Sequence, residues 1–359
     1  MALTRSAALP AQVDDPASAK PRRRATALAG GSVLLLAVVL LLSITVAVTV
    51  GSADLSMVDV WRTVGAHLGW GTSPLSPLRD GIVWDVRLTR VLTAGAVGAA
   101  LAMSGAVMQA LTRNQLADPY LLGLSSGASL GAVAVLMLGV QLLLPVAAFL
   151  GALLALALTL LLARSLGPIS PSRTILAGIT VSALASAVTS LLIFWNVTGD
   201  SYREILNWLL GSLAGADWGT SIIAWGAVLV VGVPLAAGGR VMDAFVFGDG
   251  AAASLGINVS AARWTLLGAT ALLTGIAVSV SGAIGFVGLV LPNAVRLVAG
   301  FRHRLVLPMA GLLGAVLMIW VDTGARTLFN PRELPVGILT AIVGAPLFAL
   351  VLWRHRAQS

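Results

Sequence analysis

The feature that most constrains this chain is a series of apolar runs long enough to cross a bilayer, separated by short polar joints. Residues 28–50 contain no charged side chain, and about 20 apolar residues in a helix span a hydrocarbon core roughly 30 Å thick. The run exceeds the roughly 7 to 15 residues of a signal-peptide core and lacks a convincing cleavage site, so it reads as a retained span. Further runs follow at 88–112, 119–140, 143–164, 173–195, 220–239, 262–282, 284–300, 305–325 and 335–354. With 58% hydrophobic and only 10% charged residues, a soluble fold of this length lacks the polar side chains to cover its surface. The expected fold class is all-α, a polytopic membrane protein with about ten transmembrane helices.

Several function classes fall away on composition. There is no cysteine, which removes disulfides, thiolate metal sites and cysteine nucleophiles. The one lysine, Lys20, lies in "SAKPRRR" and does not follow the Gly-rich turn of a phosphate loop. Any ATP that drives this chain must therefore be hydrolysed by another subunit. His67, His303 and His355 are too scattered for a metal site by spacing, and no catalytic constellation emerges. The net charge of +8 is spread over joints and not gathered into a basic domain, so a nucleic-acid partner is not expected.

Instead the charges follow topology. With the N-terminus inside, ten spans put 15 of the 22 basic residues on the inner side and nine of the 14 acids outside. This satisfies the positive-inside rule and returns the C-terminus to the inside. The expected organisation is a disordered cytoplasmic segment at 1–27, one transmembrane domain at 28–354 and a cytoplasmic tail at 355–359. An outer loop at 51–86 carries a short interfacial helix near Met57 to Leu68, and an inner loop lies at 240–261. Small-residue stretches such as "AGAVGAALAMSGA" from Ala94 suit close helix packing in lipid. The two halves also echo one another faintly, as inverted repeats do.

Local patterns single out a few residues. Arg87 and Arg90, three apart at the head of a span, fall on one helix face and suit either lipid phosphates or a docking protein's carboxylates. Asp322 and Arg326 are four apart, a spacing that lets them neutralise each other. Asp118 and Pro119 have the form of a helix start. In the inner loop, Asp249 is expected to cap a short alanine-rich helix containing Ala252, which Gly256 should end. Such a helix lying along the membrane surface suits a partner's grip.

These segments resemble the FecCD/BtuC-type permease family of bacterial ABC importers for iron-siderophores, haem and cobalamin. The matching blocks are "RLTRVLTAGAVGAALAMSGAVMQALTRNQLADPYLLGLSSGASLGA" from Arg87, "GSLAGADW" from Gly211, the "LGI" at Leu255, "SGAIGFVGLVLPNAVRL" from Ser281 and "ELPVGILTAIVGAPLFALVL" from Glu333. The resemblance implies a type II ABC importer permease in the bacterial cytoplasmic (inner) membrane. It also implies a second permease subunit, homodimeric or related, and two cytoplasmic ATPases carrying ATP and Mg. An extracytoplasmic solute-binding protein would deliver the substrate.

By resemblance, Arg87, Arg90 and Arg326 meet acidic residues of that binding protein. Asp249, Ala252, Leu255, Gly256 and Ile257 belong to the ATPase-coupling segment, and the span from Arg173 to Asn196 lines the pathway. Pro292, Asn293 and Arg296 form a motif near the cytoplasmic gate, with asparagine where the family commonly has histidine. This chain would hold no cofactor, no metal and no catalytic residue. The implied activity is ATP-driven import of a ferric-siderophore-like chelate, with cobalamin or haem as alternative cargo. An ATP-independent carrier or channel, or a non-transporting scaffold, stands as a reading from another class.

Overall fold

The computed structural model describes residues 19–51, 55–140, 143–167, 170–196, 199–329 and 332–356. The described residues are helical with short connections. Helix α1 covers Ala19–Thr49, α2 Met57–His67 and α3 Pro77–Thr112. Then come α4 (Leu124–Met137), α5 (Leu144–Ser165), α6 (Pro171–Asn196), α7 (Gly199–Leu209) and α8 (Trp218–Ala237). The short helices α9 (Gly239–Val246) and α10 (Asp249–Ser254) lead into α11 (Val259–Ser281), α12 (Val287–Ala299), α13 (His303–Thr327) and α14 (Val336–Arg356). Seven of these are long and apolar enough to cross a membrane, and α4, α12 and α14 are shorter apolar helices. Together they correspond in position to the ten expected runs.

Two boundaries differ from expectation. Of the N-terminal segment 1–27, residues 1–18 lie outside the described residues, and from Ala19 onward the chain already belongs to α1. The C-terminal tail splits in the same way, with residues 357–359 outside the description and 355–356 in α14. More consequentially, α3 begins at Pro77, within the stretch expected to be an outer loop. Ser76 is extended and Pro77 occupies the first turn, where its missing N–H costs nothing and its fixed φ favours a helix. A π-helical turn at Ile82–Leu88 carries the helix on without a break.

Helix α3 is the axis of the fold, with 94% of its most apolar window buried, and α13, α11, α12 and α8 pack around it. Glycines set these approaches. A Cβ on Gly98 would lie 2.1 Å from the Gly314 carbonyl oxygen, and one on Gly105 would lie 1.9 Å from that of Gly288. Helix backbones can touch this closely only where no side chain intervenes, the usual solution where lipid supplies no hydrophobic drive between helices.

Two breaks inside the apolar body face each other. After α3 the chain turns through Arg113 at φ 52, and Asp118 then caps a 3₁₀ turn at Pro119–Leu122 by accepting the Tyr120 N–H at 2.8 Å. Between α11 and α12 it unwinds from Gly282 (φ 68) to Phe286 (φ 70). The Tyr120 hydroxyl accepts the Ile284 N–H at 3.1 Å and donates to the Ile284 carbonyl at 2.9 Å. One side chain thus satisfies two backbone groups that water cannot reach at this depth.

Candidate functional sites at the two ends of the helical body

Arg90, well inside α3, and Arg113, just past its last residue, are 23 residues or about 35 Å apart along a helix. At the Arg90 end five charged side chains converge. Arg90 Nε donates to both Asp322 oxygens, at 3.0 and 3.1 Å, and Arg90 Nη1 donates to Glu333 Oε2 at 2.7 Å. Arg326 Nε stands 3.5 Å from Asp322 Oδ2. The other contacts hold α1: Arg326 Nη2 donates to the Ala47 carbonyl at 3.0 Å, and Arg87 Nη1 to the carbonyls of Val48 and Thr49 at 3.4 and 3.1 Å. These carbonyls belong to the last turn of α1, where a cation is favoured by the helix dipole.

Burial sorts the cluster. Asp322 is fully buried, Arg87 and Arg90 are 4% and 6% exposed, and only the Glu333 side chain, at 49%, opens to the surroundings. The expectation that Arg87 and Arg90 head a span on the outer surface is therefore corrected. Because α3 starts ten residues earlier, both lie well within a continuous helix and point into the protein. The Asp322–Arg326 pair forms at its i,i+4 spacing, but sequence reasoning missed Arg90 and Glu333 as partners, since 232 and 243 residues separate the bonded groups.

At the other end, Gly248 (φ 99) turns the chain into α10. Asp249 does not cap it: no side-chain cap bond forms there, and its carboxylate instead accepts Arg263 Nη2 at 2.7 and 2.9 Å. The cap is lost because Asp249 is already inside the helix and a guanidinium on α11 competes for it. Gly256 (φ 79) ends the turn as expected, and the Ile257 N–H returns to the Ala252 carbonyl at 3.2 Å. Ala252 is fully buried, whereas Leu255 is 71% and Phe247 80% exposed. The surface of this segment is thus carried by Leu255 and Phe247, not by Ala252.

The third group sits on α12. Pro292 cannot donate to the Gly288 carbonyl one turn back, and Gln109 Nε2 of α3 reaches that oxygen at 3.4 Å and the Leu289 oxygen at 3.2 Å. Asn293 Nδ2 donates to the carbonyls of Gln115 and Leu289, both at 2.9 Å. Its oxygen accepts Arg296 Nη1 at 3.0 Å, and the same guanidinium nitrogen also contacts Gln109 Oε1. Asparagine here ties the α3–α4 connection to α12 through the Gln115 carbonyl, and the sequence alone revealed neither that partner nor Gln109 as a partner of Arg296.

Residues 35–354, almost the whole of this arrangement, match the FecCD transport family. The chain belongs to that family. It is 42% identical to the uncharacterised ABC transporter permease protein YvrB of Bacillus subtilis, covering 88% of this chain and 92% of the relative. The vitamin B12 import system permease protein BtuC of Vibrio cholerae is 40% identical over 79% of this chain and 86% of its own length. For the hemin transport system permease protein HmuU of Yersinia pestis the identity is 40%, with coverages of 89% and 95%. Among solved structures, an inward-facing metal-chelate type ABC transporter superposes with a TM-score of 0.80 at 31% identity, covering 90% of this chain and 98% of the other. This FecCD-family chain therefore has the type II ABC importer permease fold and is a multi-pass membrane permease.

Proposed function

We propose that this FecCD-family chain is the path-forming subunit of an ATP-driven importer for a bulky metal chelate of the ferric-siderophore class. It would work as a permease dimer with two cytoplasmic ATPases, which supply ATP and Mg, and with an extracytoplasmic solute-binding protein. Both termini would face the cytoplasm, placing α10 on the ATPase side. The observation that carries the reading is the α9–α10 segment. Two large apolar side chains, Leu255 and Phe247, stand exposed on a short turn held from behind by the Asp249–Arg263 ion pair. A surface of that kind is suited to a partner's groove.

At the opposite end Arg87, Arg90 and Arg326 remain our proposed docking point for the binding protein. Their burial alters the chemistry: a docking carboxylate would reach Arg90 by taking the place of Glu333, the exposed member of the cluster. The gate role of Pro292, Asn293 and Arg296 rests on their position beside the α3–α4 break. Cobalamin or haem import is the second reading, supported by the BtuC and HmuU relatives at 40% identity.

The test is reconstitution of the complete assembly in proteoliposomes with separate supplies of a labelled ferric siderophore, cobalamin and haemin. ATP-dependent uptake of the siderophore alone supports the first reading. Preference for cobalamin or haemin selects the second. Uptake that proceeds equally without ATP refutes both.

A further inference from the structure

At the α10 end, between the close of α3, α12 and the start of α13, lies a cavity of about 210 Å³. Its polar walls are Gln109, Arg113, Asn114, Gln115, Arg296 and His303. No carboxylate lines it. Arg296 is only 8% exposed, yet among the described residues no acid pairs with it, and its described bonds go to the neutral amides of Gln109 and Asn293. A buried guanidinium without a counter-charge is an expensive arrangement.

A second observation is independent of the first. His303 is 2% exposed, and its Nδ1 meets Asp243 Oδ1 at 2.8 Å, yet its buried Nε2 has no hydrogen-bond partner. Buried polar atoms are nearly always satisfied, so an orphan beside an unpaired cation calls for a missing ligand. Arg113 completes the set from the surface, its guanidinium next to Gly248 at the root of α10.

We propose that this cavity is a binding site for a phosphate-class oxyanion. Arg296 and His303 form its floor, and Arg113 closes its mouth. With its Nδ1–H given to the Asp243 carboxylate, His303 offers Nε2 as an acceptor for a phosphate hydroxyl, while the two guanidinium groups donate. These groups come from three different elements, an arrangement that suits a protonated ion with oxygens directed to several sides better than a planar carboxylate. The volume is about seven times a water molecule's share of the liquid, which leaves room for the ion and some of its hydration. A bound anion would join the end of α3 to α12 and α13 directly behind the α10 segment.

The experiment uses the purified full-length chain in detergent, titrated with inorganic phosphate against sodium chloride at matched ionic strength. The readouts are thermal unfolding and retention of labelled phosphate. A saturable stabilisation is expected with phosphate and not with chloride. Arg113→Gln should weaken it about tenfold, as expected for loss of a charge-assisted hydrogen bond; Arg113→Lys should restore part of the affinity. Because Arg113 is exposed, its variants leave the fold intact, whereas His303→Gln serves as a check from the buried side.

Nanodiscs of phosphatidylglycerol and of phosphatidylcholine separate the sources. Retention of phosphatidylglycerol, weakened by Arg113→Gln, identifies a lipid headgroup as the oxyanion, while retention of free phosphate identifies the soluble ion. The proposal is overturned if neither is retained, if Arg113→Gln binds as the parent does, or if acetate stabilises as well as phosphate. The last result would assign the cavity to a carboxylate of a partner protein.

Discussion

The substitution Gly98→Ala tests the packing argument most directly. The new methyl carbon would sit 2.1 Å from the Gly314 carbonyl oxygen, 2.6 Å from its carbon and 2.7 Å from Met318 Cγ. A carbon meeting a carbonyl oxygen in comfortable contact lies about 3.3 Å away, so α3 and α13 must separate by roughly 1 Å. The obstacle is backbone and cannot rotate aside. Overpacking of this kind costs about 1–3 kcal/mol, and the upper half of that range applies because Gly314 makes the reciprocal contact with the Gly98 carbonyl at 2.3 Å. The helix-propensity gain of about 1 kcal/mol on replacing glycine by alanine offsets only part of it. Gly268→Ala is the control, since a Cβ there meets nothing within 4 Å and only the propensity gain remains. Thermal unfolding of the purified variants should therefore move in opposite directions, with Gly98→Ala falling by about 2–4 °C and Gly268→Ala rising by about 2 °C. Equal midpoints for the two would refute the backbone-contact account of the α3–α13 seam.

Four further outcomes follow from the same geometry. Asp322→Asn removes the buried carboxylate that Arg90 and Arg326 share, leaving Arg90 only the half-exposed Glu333, and should cost about 3–5 kcal/mol; adding Arg90→Gln should recover part of the loss, and strictly additive unfolding midpoints would count against the ion network. Glu333→Gln, at a half-exposed position, should change stability by no more than about 1 kcal/mol while tightening binding-protein docking several-fold at low salt; unchanged or weaker docking in a pull-down titration removes Glu333 as the occupant to be displaced. Leu255→Glu should leave unfolding within about 0.5 kcal/mol, as surface changes do, yet abolish assembly with the ATPase, whereas Ala252→Glu should destabilise the chain itself; intact assembly of the Leu255 variant would move the coupling surface elsewhere. Asp118→Asn keeps an acceptor for the Tyr120 N–H and should change stability little, whereas Asp118→Ala removes the cap bond at 2.8 Å and should cost about 1 kcal/mol; equal unfolding midpoints for the two would refute the cap.

The helices were legible in the sequence because crossing lipid demands long uncharged runs, and each of the ten runs has its helix. What was illegible is instructive. The start of α3 carried a local signal in Ser76 and Pro77, but Arg79, Asp80 and Asp85 lowered the hydropathy of its first turns and made the stretch read as loop. The burial of Arg87 and Arg90 followed from that same helix start and from Asp322 and Glu333, which only tertiary structure brings near. Asp249 failed as a cap for a similar reason: local pattern offered it the helix amides, and Arg263 on another helix took it. Spacing rules describe what one helix can do alone, and the missed ion pairs each involve a partner more than ten residues away.

This division has a physical cause. Apolar side chains decide that a segment lies in the membrane, yet lipid tails are as apolar as leucine, so those side chains give little reason for one helix to choose another. Helix α1 makes the point, because only 22% of its most apolar window is buried. Its place is fixed by a few directional bonds: the Trp320 indole donates to Ser43 Oγ at 3.0 Å in its last third, and Arg87 and Arg326 hold the carbonyls of its final turn. In a chain with so few charges, each one that enters the body therefore sets register or orientation that the apolar surface cannot. The same scarcity is what makes Arg296 conspicuous, since among these buried guanidinium groups it alone neither meets a carboxylate nor caps a helix end.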